Sequence, residues 1–252
     1  MRDGTSFQSK SVIKPPCYDI LITPNIEWDS AALNQSDVFF TMKEWIEETL
    51  AWILNHTSYS IAIRQHPREK SDFINYGYPN YLKTFIEEKY MGEGRITFYS
   101  ADNEVNTYDL IKNSKIILPW TSNVAVDAAV LGKQSIVHTE AYYQYEPYVT
   151  RVHSKEEYYD EIVKSIDTGV ADFPVDEAKY DYYYHCRICV PDESINSVPS
   201  VFNTFMKNDV NYITARPVLT DLLKSWLTNE SFMLLNYKRQ LNDEDIKNII
   251  EE

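Results

Sequence analysis

ILPWTSNVAVDAAVLGKQSIVHTEAYY, residues 117–143, joins two apolar runs through a hydroxyl-rich break, a small-residue helix pattern and a glycine. KIILPW (115–120) reads as a strand, NVAVDAAVLG as a helix stopped by Gly132, and QSIVHT (134–139) as the next strand. A strand, a helix-length segment and another strand make a crossover unit, which sets both strands parallel in one sheet under a covering helix.

The same alternation extends upstream. YDILIT (18–23) is a short β-rich run ended by Pro24. FTMKEWIEETLAWILN (40–55) repeats Met42, Trp45, Ile46, Leu50 and Ile53 at helical spacing. SYSIAIR (58–64) is a strand, YPNYLKTFIEEKYM (78–91) a helix stopped by Gly92 and Gly94, and RITFYS (95–100) a third strand. NTYDLIKNS (106–114) is a short helix with Asn106 or Thr107 as its cap. Downstream, SKEEYYDEIVKSI (154–166) opens with Ser154 and Glu157 at the spacing of a capping box.

Five strands separated by helix-length segments predict an α/β fold: a Rossmann-like parallel sheet with helices on both faces. The expected organisation is a flexible segment over 1–17, the sheet domain over 18–168, and a C-terminal helical appendage over 169–252. Helix patterns in that appendage lie in DEAKYDYYYHCRICV, VLTDLLKSWL and DEDIKNIIEE.

Bulk properties narrow the function. The chain has 252 residues, 44% of them hydrophobic and 14% aromatic, enough for a substantial core. Its 38 acidic and 24 basic side chains give a net charge of −14, which repels free nucleic acid over most of the surface. A small anion binds such a protein only where positive groups are gathered. No apolar run approaches the ~18 residues of a transmembrane helix, and MRDGTSFQSK lacks the apolar core of a secretion signal. Three cysteines make no disulfide framework, so the expected compartment is the reducing cytoplasm, including the inner face of the membrane. Cys186 and Cys189 beside His185 would need a fourth zinc ligand, with Cys17 the sole remaining cysteine; they read as structural residues of a helix. Six glycines, none spaced Gly-x-Gly-x-x-Gly, give no dinucleotide fingerprint. His138 and His153 have no partner spacing and read as ordinary.

Two strand ends carry the chemistry. Ligands of open parallel sheets sit beyond the carboxyl ends of the strands. SIAIRQHPREK (60–70) ends its strand in Arg64, His66, Pro67 and Arg68. Proline stiffens the turn and biases His66 to an extended shape, presenting imidazole and guanidinium in a set direction, as phosphate binding requires. Thr121, Ser122 and Asn123 follow KIILPW at a helix start, where hydroxyls and backbone N–H groups suit an anion and Ser122 suits the N-cap. Asp127 lies one turn on in an otherwise apolar helix. Ribose hydroxyls are a fitting partner for a carboxylate that is costly to bury alone. Glu140 follows the fifth strand toward the cleft, where a solvated loop glutamate is the simpler reading.

IAIRQHPREK together with DLIKNSKIILPWTSNVAVDAAVLGKQSIVHTEAYYQYEPYVTRVHSKEEYYDEI resembles the C-terminal half of the capsule polysaccharide synthesis glycosyltransferases. These are GT-B-fold enzymes that include the bacterial β-Kdo transferases, and the likeness covers roughly residues 18–168. It implies that Arg64, His66 and Pro67 face the phosphate of a CMP-, UDP- or GDP-linked sugar, with Thr121, Ser122 and Asn123 cradling it. Asp127 stands where the family has glutamate on the ribose, and Gln134 replaces a usual proline. Asp29 and Ser30 would lie near the interdomain cleft, and Ser100 and Asp102 near the base.

The implied reaction transfers a sugar, Kdo from CMP-Kdo among the candidates, to a growing capsule or lipopolysaccharide glycan without a metal or other cofactor. The implied partners are the nucleotide sugar, a glycan or glycolipid acceptor, and a second chain supplying the acceptor-binding domain, since only 17 residues precede the first strand. The alternatives are a non-catalytic nucleotide-binding or scaffold subunit of a split enzyme, and a sugar-nucleotide epimerase or hydrolase.

Overall fold

The computed structural model describes residues 14–26, 36–69, 81–169 and 172–183, with 220, 224, 225, 227, 228 and 230. The chain divides into two compact units, Gly4–Lys179 and a unit of Tyr180–Glu252 with Met1–Asp3. In chain order the elements are β1 (Tyr18–Thr23), α1 (Met42–His56), β2 (Ile61–Arg64), a 3-10 turn (Pro67–Glu69), α2 (Tyr81–Tyr90), β3 (Ile96–Tyr99) and α3 (Thr107–Lys112). Then come β4 (Ser114–Pro119), α4 (Val124–Val130), β5 (Gln134–Val137), β6 (Val149–Arg151), α5 (Lys155–Thr168) and α6 (Val175–Tyr183).

The six strands form one sheet in the order β3-β2-β1-β4-β5-β6, and every pairing is parallel. This is the expected Rossmann-like α/β fold, with the order reversing between β1 and β4. The central strands are buried on both sides, which is why they read as continuous apolar runs. Ile20, Ile22, Ile61 and Ile63 join Trp45, Ile46 and Leu50 of α1, Phe85 and Ile86 of α2, and Tyr158 and Ile162 of α5 in one core layer. Leu21, Ala62 and Ile117 join Leu110 and Ile111 of α3 and Ala128 of α4 in the other. Ala125, Ala128 and Ala129 are buried, so α4 can lie close to the sheet. Gly132 ends it at φ +70°, where the Lys133 N–H reaches back to the Ala128 carbonyl, 2.9 Å.

Several boundaries differ from expectation for local reasons. The strand expected over 58–64 begins at Ile61, because Ser60 turns its N–H and hydroxyl to Asp19 Oδ2 (2.8 and 2.9 Å). Strand β6 is unexpected: three half-buried residues are too few to show an alternation. Asn106 is the cap of α3, accepting from the Tyr108 N–H. Ser154 caps α5 by accepting from the Glu157 N–H (3.1 Å), while the Glu157 carboxylate returns to the His153 N–H (2.7 Å), one residue before the usual partner. Because α5 anchors Tyr158 and Ile162 in the core, Ser154→Ala is expected to lower unfolding free energy by about 1 kcal/mol in a urea titration.

In the C-terminal unit, Thr220, Lys224, Ser225 and Leu227 of VLTDLLKSWL are helical. DEDIKNIIEE, His185, Cys186 and Cys189 lie outside the described residues, as do Asp29 and Ser30. No helix among the described residues is long and apolar enough to cross a membrane.

Candidate functional site

Register places the two sequence-predicted stretches on one edge. Arg64 pairs with Tyr99 and Thr23 with Pro119, while Ile22 pairs with Ile63, so Tyr99, Arg64, Thr23 and Pro119 form a row across β3, β2, β1 and β4. The chain leaves this row four times at the carboxyl edge. The Arg-His-Pro corner and the Thr-Ser-Asn loop are separated by two strand spacings, about 10 Å.

At the corner, Arg64 is only 6% exposed. Its Nη1 donates to the Ser100 carbonyl (2.6 Å) and its Nη2 to the Asn103 carbonyl (3.3 Å), so it holds the loop after β3. Gln65 adds to that seam, with its Oε1 accepting the Ala101 N–H at 2.9 Å. No carboxylate among the described residues offsets the Arg64 charge, and burial alone lowers its pKa. His66 is half-buried, and its Nδ1 accepts the Arg68 N–H at 3.1 Å. An accepting Nδ1 puts the proton of the neutral ring on Nε2, which makes that atom the donor. Pro67 opens the 3-10 turn; Pro67 and Arg68 are exposed. Ser100 is half-buried and Asp102 exposed on the loop that Arg64 ties down.

The Thr-Ser-Asn loop is clamped from both sides. The Asn25 side chain, just beyond β1, donates through Nδ2 to Thr121 Oγ1 (2.5 Å), and its Oδ1 accepts the Thr121 N–H (3.4 Å). This pair spans the point where strand order reverses, the usual ligand crevice of open α/β sheets. From the loop after β5, the buried Tyr143 hydroxyl donates to the Ser122 carbonyl at 2.7 Å. The N-cap of α4 is Asn123 rather than the expected Ser122: its backbone is helical (φ −58°, ψ −7°) and its exposed side chain makes no capping bond. Ser122 Oγ instead accepts the Val124 N–H at 3.3 Å. Asp127 is 2% exposed, on the stripe of α4 that carries Val124, Ala128 and Leu131 into the sheet layer. Glu140 is exposed.

Beneath this loop His138, expected to be ordinary, is completely buried among Phe39, Trp45, Trp120 and Tyr158, at ring-centroid distances of 5.1 to 5.4 Å. Ser36 Oγ already accepts the Val38 and Phe39 N–H groups, so it gives its hydrogen to His138 Nδ1 at 2.9 Å. The ring proton then sits on Nε2, which makes no hydrogen bond and faces aromatic surface. Burial, reinforced by the Arg151 guanidinium, pushes the imidazole pKa down to about 3. Arg151 donates to the Thr139 carbonyl and to Asp37 Oδ2 (3.0 Å), and Thr139 Oγ1 donates to the Trp120 carbonyl. These contacts hold the start of the loop that carries Tyr143.

Asn25, Gln65 and Tyr143 escaped the sequence reading. Their partners lie 21 to 96 residues away in the chain, and the one local signal is the strand end that Asn25 and Gln65 each follow. No group of three or more His, Cys, Asp or Glu side chains among the described residues is arranged to hold a metal ion.

A family model described as "Capsule polysaccharide biosynthesis protein" matches residues 13–161, more than half of the chain. The chain belongs to this capsule polysaccharide biosynthesis family. No curated protein matches it significantly in sequence. Among solved structures it is similar to the UDP-GlcNAc 2-epimerase of Neisseria meningitidis bound to UDP-GlcNAc (14% identity, TM-score 0.44, 68% of this chain and 44% of that one). It is also similar to Thermosulfurimonas dismutans KpsC, a β-Kdo 2,7-transferase (17%, 0.37, 56% and 41%). A third is the wall teichoic acid polymerase TagF (13%, 0.37, 71% and 40%). This member of the capsule family thus spans less than half the length of each of these structures.

Proposed function

We propose that the sheet domain is the donor-nucleotide half of a GT-B glycosyltransferase acting in capsule or lipopolysaccharide synthesis. The observation that carries this reading is a buried guanidinium with no carboxylate among the described residues beside it, on the same sheet edge as the His66 corner and the Ser122 loop. In a protein of net charge −14 that is a local demand for an anion. As the bond between sugar and nucleotide phosphate breaks, negative charge grows on the departing oxygen. His66 Nε2–H and the Ser122 hydroxyl donate to the phosphate, and the Arg64 charge favours it from below. Donors aimed where charge develops are the largest catalytic term available to such a site. The sugar passes to an acceptor hydroxyl, whose proton is taken by a base outside this domain; the donor is a CMP-, UDP- or GDP-linked sugar, CMP-Kdo among the candidates.

A second reading is a nucleotide-binding subunit without transferase activity of its own. Both readings expect a thermal shift with one member of a CMP, UDP and GDP panel, following the logarithm of ligand concentration over Kd. Ser122→Ala is expected to remove most of that shift while leaving the unligated Tm within a few degrees, since its one long bond from the Val124 N–H is worth about 1 kcal/mol. Transfer of labelled sugar by the chain with its acceptor separates the readings. No shift with any nucleotide defeats both.

A further inference from the structure

Two buried polar atoms at the centre of the carboxyl-edge row make no hydrogen bond among the described residues: Thr23 Oγ1 and Arg64 Nε. Thr23 is 3% exposed and Arg64 6%. They end neighbouring strands, and the pairing of Ile22 with Ile63 continues to set them side by side. Strand alternation puts both on the same face, since Leu21 and Ala62, two residues before each, belong to the layer under α3 and α4. The other hydroxyls of that layer do not meet them. Tyr18 and Tyr99 bond each other at 2.7 Å. The two terminal nitrogens of Arg64 each donate elsewhere, Nη1 to the Ser100 carbonyl and Nη2 to the Asn103 carbonyl.

A buried hydroxyl and a buried N–H left unbonded each cost free energy, and a buried positive charge without a counter-charge costs more. One occupant relieves all three: a negatively charged oxygen that accepts from both atoms. A neutral acceptor would satisfy the hydrogen bonds and leave the charge. We infer that Thr23 Oγ1 and Arg64 Nε form a two-donor pocket for one oxygen of a phosphate-class anion, making Thr23 a ligand-binding residue at the reversal point of the sheet. The pocket rests on the donor-nucleotide reading and deepens it, placing a phosphate oxygen deeper than His66 and level with the strand ends. Asn25 and His66, each two residues beyond its strand end, are half-buried.

The test is isosteric. Thr23→Val removes the hydroxyl and keeps the branched shape, so the unligated Tm is expected to stay level or rise. Binding of pyrophosphate and of CMP, titrated calorimetrically, is expected to weaken about tenfold, the loss of one charge-assisted hydrogen bond. Thr23→Ser, which keeps the donor, is expected to bind within about threefold of the parent. Should the valine variant fold poorly, Thr23→Ala carries the same comparison against Thr23→Ser. Valine or alanine variants that bind both ligands as the parent does would overturn the pocket, the hydroxyl then meeting only buried water, and would leave the donor-nucleotide reading standing. A parent that binds pyrophosphate but no nucleotide defeats that reading, while the valine variant still decides the pocket. A parent that binds neither defeats both.

Discussion

Lowering the pH from 7 to 4 is expected to destabilise the sheet domain by roughly 3 kcal/mol through one imidazole, that of His138. The folded pKa is depressed to about 3 by complete burial, with Arg151 adding to it, against an ordinary value of 6.5. A group depressed on folding contributes stability above its unfolded pKa and loses it as pH falls toward its folded one. Here the unfolded chain takes up a proton near pH 6.5 that the folded chain refuses until about pH 3. The window of loss is therefore 6.5 down to 3, and over its whole span the cost approaches about 5 kcal/mol.

The charged group acting on this ring is Arg151, which opposes the proton and is itself paired with Asp37 Oδ2 at 3.0 Å. Two carboxylates with lowered pKa add acid lability of their own. Burial works against Asp19, but Lys115 and Ser60 outweigh it; Lys155 lowers Glu44. Because both are depressed from values already near 4, their loss begins below that of His138. The measurement is urea unfolding at pH 7, 6, 5 and 4 for the parent and for His138→Phe, which keeps an aromatic body in the cage. The variant is expected to lose most of the slope between pH 6.5 and 5. An unchanged slope would show that the buried ring is not the acid-sensitive group. The same ring lies next to the Ser122 loop, since the segment beyond His138 carries the Tyr143 hydroxyl that fixes the Ser122 carbonyl.

The contact between the segment after a core histidine and the Ser122 loop illustrates which parts of the molecule were legible in its residues. Five strands were, because parallel strands buried on both faces must be apolar throughout and their crossovers leave room for a helix between them. Strand β6 was not: Val149, Thr150 and Arg151 pair on an edge, where burial is partial and composition unconstrained. The cap of α4 was misplaced by one residue because capping depends on backbone angles, and both Ser122 and Asn123 are good capping types. The His138 cage draws on residues 39, 45, 120 and 158, contributed by four different segments, so nothing around His138 announces it. The same holds for Asn25 and Thr121, which meet because β1 and β4 are neighbours although they lie far apart in the chain. Chemistry-bearing types at strand ends were readable. Which of them turn outward and which are spent on holding loops was not, and Arg64, with two donors on carbonyls, is the plainest case.

His66→Ala is expected to weaken nucleotide binding by ten- to a hundredfold, the range of a hydrogen bond to a charged group. Alanine alone does not say whether the ring acts on the ligand or only holds the corner, because it removes both nitrogens. Asparagine and glutamine separate the two. Asparagine places an acceptor near Nδ1 and can still receive the Arg68 N–H, but nothing reaches the position of Nε2. Glutamine places a donor near Nε2 and abandons Nδ1. If Nε2–H meets the phosphate, the order of affinity is parent, then glutamine, then asparagine and alanine together. If the histidine matters only as a local staple of the turn, asparagine binds like the parent and glutamine like alanine. The two orders are opposite, so a single set of calorimetric titrations decides between them. An asparagine variant with full affinity would move the phosphate away from His66, leaving the Ser122 loop and the Thr23–Arg64 pocket to hold it.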